Sequence, residues 1–295
     1  MRSTLILSVC CVACIVAGGV GVRYGAEVLS LGAVMPAVAD PQDGSVADGV
    51  YRNTYFDLSY PLPAGWTEGV AGPDPSATGY YVLQSLVPKG ELSATILIAA
   101  EDMFFASEQS PSLAVMTDTF RHAISQVDGM SIDAEPTALE VAGRAMQRID
   151  FSGAGLHRSL LATEIRCHLV TFTLTAREPE TLASLRLSLN RLATAAQGRA
   201  AVSAPPCVRD YVVADNLVER IEPDVAGATF ESIPVRLVVG ADGAIKHVHV
   251  IRASPSRRKA LETALRQWRF KPPRIDGRPT DIETGLLFKS AVAAR

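Results

Sequence analysis

The sequence is poor in the features that announce chemistry. No G-x-S-x-G elbow, H-E-x-x-H helix, Walker loop or dinucleotide fingerprint occurs in its 295 residues. No catalytic residue and no cofactor is therefore expected. An excess of one charge sign is also missing. The formal net charge is -3, too small to draw the chain to nucleic acid. Cysteine is scarce: Cys10, Cys11 and Cys14 sit in one apolar run, which leaves Cys167 and Cys207 for the rest. Metal-ligand clusters are absent too. The nearest approach is His247 and His249, two apart on a predicted strand. With Val248 and Val250 buried, that histidine face is expected to meet solvent, and no metal site is expected.

What is present first is a targeting signal. Arg2 precedes an uncharged run from Ser3 to Val22 that ends at Arg23. A spanning helix needs about 20 apolar residues, a cleaved signal about 7–15. The length suits an anchor, and Ala37-Val38-Ala39 offers a cleavage site for the alternative. Cys14 after Val12-Ala13 is read as a packed thiol rather than a lipid attachment site. Residues 1–23 are thus an anchor or signal, and the rest is expected outside the inner membrane, in the periplasm. Cys167 and Cys207 are then a candidate disulfide, with two free thiols as the alternative. Such a bridge would close a loop of about 40 residues, contributing roughly 3–4 kcal/mol.

The remainder divides by composition. A hydrophobic share of 48% and a charged share of 20% suit globular domains. The length suggests roughly two of them. Residues 24–48 read as a tether reaching roughly 80 Å when extended. Residues 49–197 read as an antiparallel sheet with helices. Tyr55 to Tyr60 is a predicted strand, and Pro61 through Gly65 a break. Leu113, Met116, Phe120 and Ile124 form one helical stripe, and Leu182, Leu185, Leu189 and Leu192 another. Residues 198–205 are a small-residue linker. From Ala39 to Pro205 there are 11 Lys and Arg against 19 Asp and Glu, and from Pro206 onward 15 against 11. Opposite charges suit two modules that dock on each other, or a basic module facing an acidic partner.

Residues 206–295 carry the sharpest pattern. Val235, Leu237 and Val239 alternate with Arg236 and Val238, predicting a strand with one buried face. Asp242-Gly243 is a hairpin signal. The step from Ile245 to Val248 calls for a bulge near Lys246-His247. Ser254-Pro255 starts a helix whose stripe runs through Leu261 and Leu265 to Trp268. Pro272-Pro273 stops it, Asp276-Gly277 turns the chain, and a last strand spans Thr280 to Phe288.

Arg220 through Pro223, the Asp242-Gly243 hairpin, Ala264 through Pro272 and Asp276 through Pro279 occur in order. From about Leu217 to Lys289 the chain resembles the C-terminal domain of the TonB family. The phrase from Tyr51 through Trp66 more loosely resembles the PsbP-like group, which has no single activity to carry over. The resemblances imply an α+β fold in two domains, the second a small β-β-α-β module. The TonB resemblance implies a cell-envelope protein whose last strand accepts an extended segment of an envelope protein or outer-membrane receptor by strand addition. By position that edge is Thr280, Ile282, Glu283, Thr284, Leu286 and Phe288. Coupling of inner-membrane energy to outer-membrane transport is one implied role. A periplasmic binding or assembly module without transduction is the other. The long Pro-rich spacer and the tyrosine-proline pair of transport members are missing, and Asp224-Val225 stands in the pair's place.

Three local features have bland readings. Cys167-His168 are neighbours on a predicted strand and point apart, which argues against a nucleophile-base pair. Arg257-Arg258-Lys259 at a helix start read as a solvated face, although the dipole disfavours cations there. Trp268 and Phe270 read as core.

Overall fold

The computed structural model describes residues 39–90, 92–106, 113–194, 204–224 and 232–289. The apolar run with its three cysteines and residues 24–38 lie outside them. Among the described residues no helix is long and apolar enough to cross a membrane.

An antiparallel meander opens the fold: β1 (Ser45–Ala47), β2 (Val50–Asn53) and β3 (Leu58–Pro61). Regular structure thus begins within the segment expected to be tether. The strand expected from Tyr55 starts only at Leu58, because a turn intervenes. Asn53 Oδ1 accepts the Phe56 amide at 3.0 Å, which closes that turn. Tyr55 is thereby presented from a turn rather than a ladder.

An eight-stranded antiparallel sheet follows. Its order is β4 (Trp66–Glu68), β5 (Tyr80–Pro88), β6 (Ala94–Asp102), β11 (His168–Ala176), β10 (Leu156–Ile165), β9 (Arg144–Gly153) and β7 (Met130–Ile132), with β8 (Thr137–Val141) also on β9. Alternating side chains separate its two faces. Helix α1 (Leu113–Ser125) lays Phe120 and Ile124 on Ile149, Phe151 and Leu160. Helix α2 (Pro179–Ser188) and the meander cover the other face. There Tyr51, Phe56, Leu58, Leu182 and Leu185 meet Ile96, Ile98, Val170 and Phe172.

The C-terminal module has its own core. Strand β13 (Ser232–Val239) lies between β14 (Ile245–Val250) and β18 (Ile282–Lys289), all antiparallel. Strand β12 (Leu217–Glu219) pairs β15 (Arg269–Phe270), and β16 (Arg274–Ile275) pairs β17 (Arg278–Pro279). Helix α3 (Pro255–Leu265) packs Leu261 and Leu265 against Val235, Leu237, Val248, Val250 and Ile282. Trp268 and Phe270 are buried in that core, and Trp268 Nε1 donates to Ile221 O at 2.8 Å. The bulge falls where the alternation requires it: Ile245 faces Val239 and His247 faces Val238, leaving Lys246 extra. Gly243 has φ 82 and backs onto the Phe270 carbonyl, so a side chain there would be both strained and blocked.

The architecture is α+β, with antiparallel sheets and few helices. Residues 38–295 form one compact unit, and the two cores touch. Ile251, directly after β14, is buried within the core of the eight-stranded lobe.

Candidate functional site

Strand β18 ends the C-terminal sheet, so one of its edges does not meet β13. Glu283 shows which backbone groups face outward. Its N–H donates to Pro206 O at 2.9 Å, and its carbonyl accepts from Val208 N at 2.8 Å. Cys207 thus forms a parallel bridge with Glu283. Strand alternation aims the backbone of Gly285 and Leu287 the same way. Among the described residues no strand or bridge pairs with them on that side. Leu287 is 44% exposed. The accessible edge is therefore Gly285 to Lys289, preceded by a cap at Glu283.

The other residues expected on this edge have separate duties. Thr280 precedes the strand, and its N–H donates to Pro273 O at 3.0 Å. Ile282, Thr284 and Phe288 point inward and are buried, and Leu286 packs half-buried on the same core. Their side chains hold the strand in place and are not available to a partner.

The face opposite α3 is not solvated. Arg236, read as a water-facing residue between apolar neighbours, is 2% exposed. The eight-stranded lobe covers it, which is why strand alternation failed to place it. Arg236 Nη1 lies 2.8 Å from Asp102 Oδ2 on β6, and Nη2 lies 3.2 Å from Glu283 Oε1. Nη2 also donates to Arg166 O at 3.2 Å. Glu283 accepts from Tyr55 Oη at 2.7 Å and pairs with Arg166 at 3.2 Å. The Arg236 guanidinium lies over Phe104, 4.6 Å from the ring centre, and Arg166 over Tyr55 at 3.8 Å. One cluster thus joins both lobes.

Burial would raise the Glu283 carboxyl, but Arg236 and Arg166 outweigh it and hold it below its usual range. Burial wins at Asp102, which is raised despite Arg236. His168 is fully buried beside these cations, and burial first, then Arg236, drives its pKa well below the ordinary value. It is neutral, with Nδ1 2.7 Å from Arg166 O and therefore the donor. Its Nε2 is 3.7 Å from Asp102, beyond hydrogen-bond reach.

Two more expectations are revised by the same docking. His249 is 4% exposed, and His247 is half-buried. Both approach Asp40 Oδ1, at 2.8 Å from His247 Nε2 and 3.0 Å from His249 Nδ1. The segment entering β1 covers a face expected to be wet. Among the described residues no group of three or more ligands could hold a metal ion. Cys167 lies on the two-residue turn between β10 and β11, with φ 55 after Arg166 at φ 49. Its sulfur is joined to Cys207, with Cα atoms 6.2 Å apart. Arg258 at the start of α3 donates to Val250 O instead of standing wholly in solvent.

At Gly285 the first lobe closes on the face of β18. A Cβ there would lie 2.5 Å from Phe104 Cβ and 2.9 Å from Phe104 Cγ. Alanine usually improves a strand glycine. Here Gly285→Ala is expected to destabilise by about 1–3 kcal/mol through overpacking. Urea unfolding checks the sign.

Residues 232–289 match the family model described as the Gram-negative bacterial TonB protein C-terminal. That family is a non-enzymatic, transport-related domain whose members interact with outer-membrane receptors or envelope proteins. Among solved structures, the cyanobacterial PsbP protein CyanoP of Synechocystis is similar at 16% identity and TM-score 0.38, over 51% of this chain and 96% of that one. A Pseudomonas aeruginosa protein of unknown function is similar at 15% identity and TM-score 0.30, over 48% and 92%. No curated protein matches the chain.

Proposed function

We propose that this chain is a cell-envelope protein whose C-terminal module binds an extended partner segment by adding it to β18 along Gly285–Lys289. The observation that carries the proposal is the outward-facing backbone of Gly285 and Leu287 on an edge strand, unpaired among the described residues and within a segment matching a TonB C-terminal model. The partner is an envelope protein or an outer-membrane receptor segment.

A binding or assembly role without energy transduction suits the geometry better than force transmission. The face of the module opposite α3 is fixed to the first lobe by Arg236, Asp102 and Glu283. A module that relays force across a distance has to move apart from its neighbour.

Leu287→Pro tests the edge. Leu287 faces Pro234 with its own N–H turned away from β13, so proline removes an outward donor and no sheet bond. Full-length chain carrying Leu287→Pro is expected to retain its envelope partner at least tenfold less than wild type or Leu287→Ala, with unchanged urea midpoint. Equal retention by all three would rule out strand addition here.

A further inference from the structure

We propose that the Cys167–Cys207 disulfide is a redox latch that sets how much of the β18 edge a partner can use. The inference rests on the strand-addition reading above. What the disulfide holds is specific. Cys207 is the middle residue of Pro206–Val208, the segment bridged to Glu283. Pro205 and Pro206 have no N–H, so this cap cannot continue as a strand toward its N-terminus. On the other side the chain turns away at Asp210, where φ is 53. The cap is therefore a short plug at the first part of the edge, fastened by two backbone hydrogen bonds and one sulfur link, with Val208 packed on the module's core and Arg209 held at the Met103 carbonyl.

The lobes do not need that link to stay together. Arg236 to Asp102, Tyr55 to Glu283 and Arg166 to Glu283 join them independently. Arg209 also donates to the Met103 carbonyl. The contribution peculiar to the disulfide is to keep the plug on Glu283. It is anchored on a turn of two left-handed non-glycine residues, Arg166 and Cys167, a backbone choice that costs energy. Both side chains of that turn reach the C-terminal module.

Access favours exchange. Cys207 is exposed and Cys167 half-buried. A dithiol thiolate attacks the Cys207 sulfur, the S–S bond breaks, and Cys167 leaves as a thiolate that takes up a proton. The second thiol of the reductant then attacks the mixed disulfide and frees Cys207. Two electrons and two protons pass to the protein, and the reductant leaves as a disulfide. With the plug free, the usable edge grows from Gly285–Lys289 to include Glu283.

Amide hydrogen exchange on detergent-solubilised full chain tests the latch without a ligand. The Glu283 amide is expected to exchange at least tenfold faster after dithiothreitol, and likewise in Cys207→Ser, while β10, β11 and β13 amides keep their rates. Unchanged exchange at Glu283 overturns the latch and leaves the strand-addition reading standing. Parallel acceleration in β10, β11 and β13 also overturns it, since the bond would then hold the lobes. A fluorescent peptide copying residues 204–212, with serine for cysteine, is the binding probe. It is expected to bind the reduced chain at least tenfold tighter than the oxidised one. Equal binding overturns the gating. An opened Glu283 with no binding at all overturns the strand-addition reading itself.

Discussion

Truncating Arg236 to alanine is expected to lower folding stability by about 3–5 kcal/mol, because it leaves buried Asp102 without a cation and Glu283 with Arg166 alone. Asp102 is fully buried and Glu283 is 3% exposed, so water cannot replace the guanidinium. The comparison that fixes the scale is Lys246 with Asp281, an ion pair at 2.7 Å whose side chains are 39% and 37% exposed. Removing that pair is expected to cost about 0–1 kcal/mol. The Arg236 effect is therefore a desolvation effect and not a contact count. Combining Arg236→Met with Asp102→Asn and Glu283→Gln should recover much of the loss, since the buried carboxylates go with the guanidinium and only the half-buried Arg166 loses a partner. Urea unfolding of the single and triple variants gives both numbers.

Acid is expected to destabilise the chain already below about pH 6.5, by about 1.4 kcal/mol per pH unit from a single histidine. His168 is the cause. In the folded state it stays neutral, since burial and Arg236 oppose a second positive charge. In the unfolded chain it takes a proton near its ordinary pKa. The unfolded state binds more protons in that window, so stability falls as pH falls from the unfolded value toward the depressed folded one. Glu283 adds to the loss at lower pH. Its folded pKa is depressed, so its contribution is present above the ordinary glutamate range and disappears as pH drops through the folded value. Asp102, raised by burial, works in the opposite direction. His168→Phe keeps the edge-on ring contacts with Tyr55, Phe56 and Tyr81 and removes the titration. A flat stability curve between pH 6.5 and about 5 in that variant, against a falling one in wild type, is the expected pair of results.

What the sequence disclosed and what it hid divide along sequence distance. The hairpin at Asp242-Gly243, the Lys246 bulge, the α3 stripe and the burial of Trp268 all follow from residues within a few positions of one another. Arg236 was misplaced because alternation assigns a charged residue in a strand to water. Only the lobe containing Asp102, more than a hundred residues earlier, makes that face an interior. A faint signal existed. Arg236 and Glu283 are opposite charges set inside two largely apolar strands, and they converge on one cluster. His247 and His249 were hidden for the same reason, covered by the segment around Asp40. The cap was equally illegible: Pro205-Pro206 reads as linker, and nothing local reveals that Cys207 lies beside Glu283. Tyr55 reaches Glu283 because Asn53 and Phe56 close a turn where alternation suggests a strand.

The most direct test of the account is a photo-crosslinking side chain introduced at Leu287 of the full chain in cells, with Leu187 on the first lobe as control. Both positions are exposed, at 44% and 69%, so neither replacement disturbs a core. A discrete adduct with an envelope protein is expected from position 287 and none from 187. Identical adducts from the two positions, or none from 287, would contradict it.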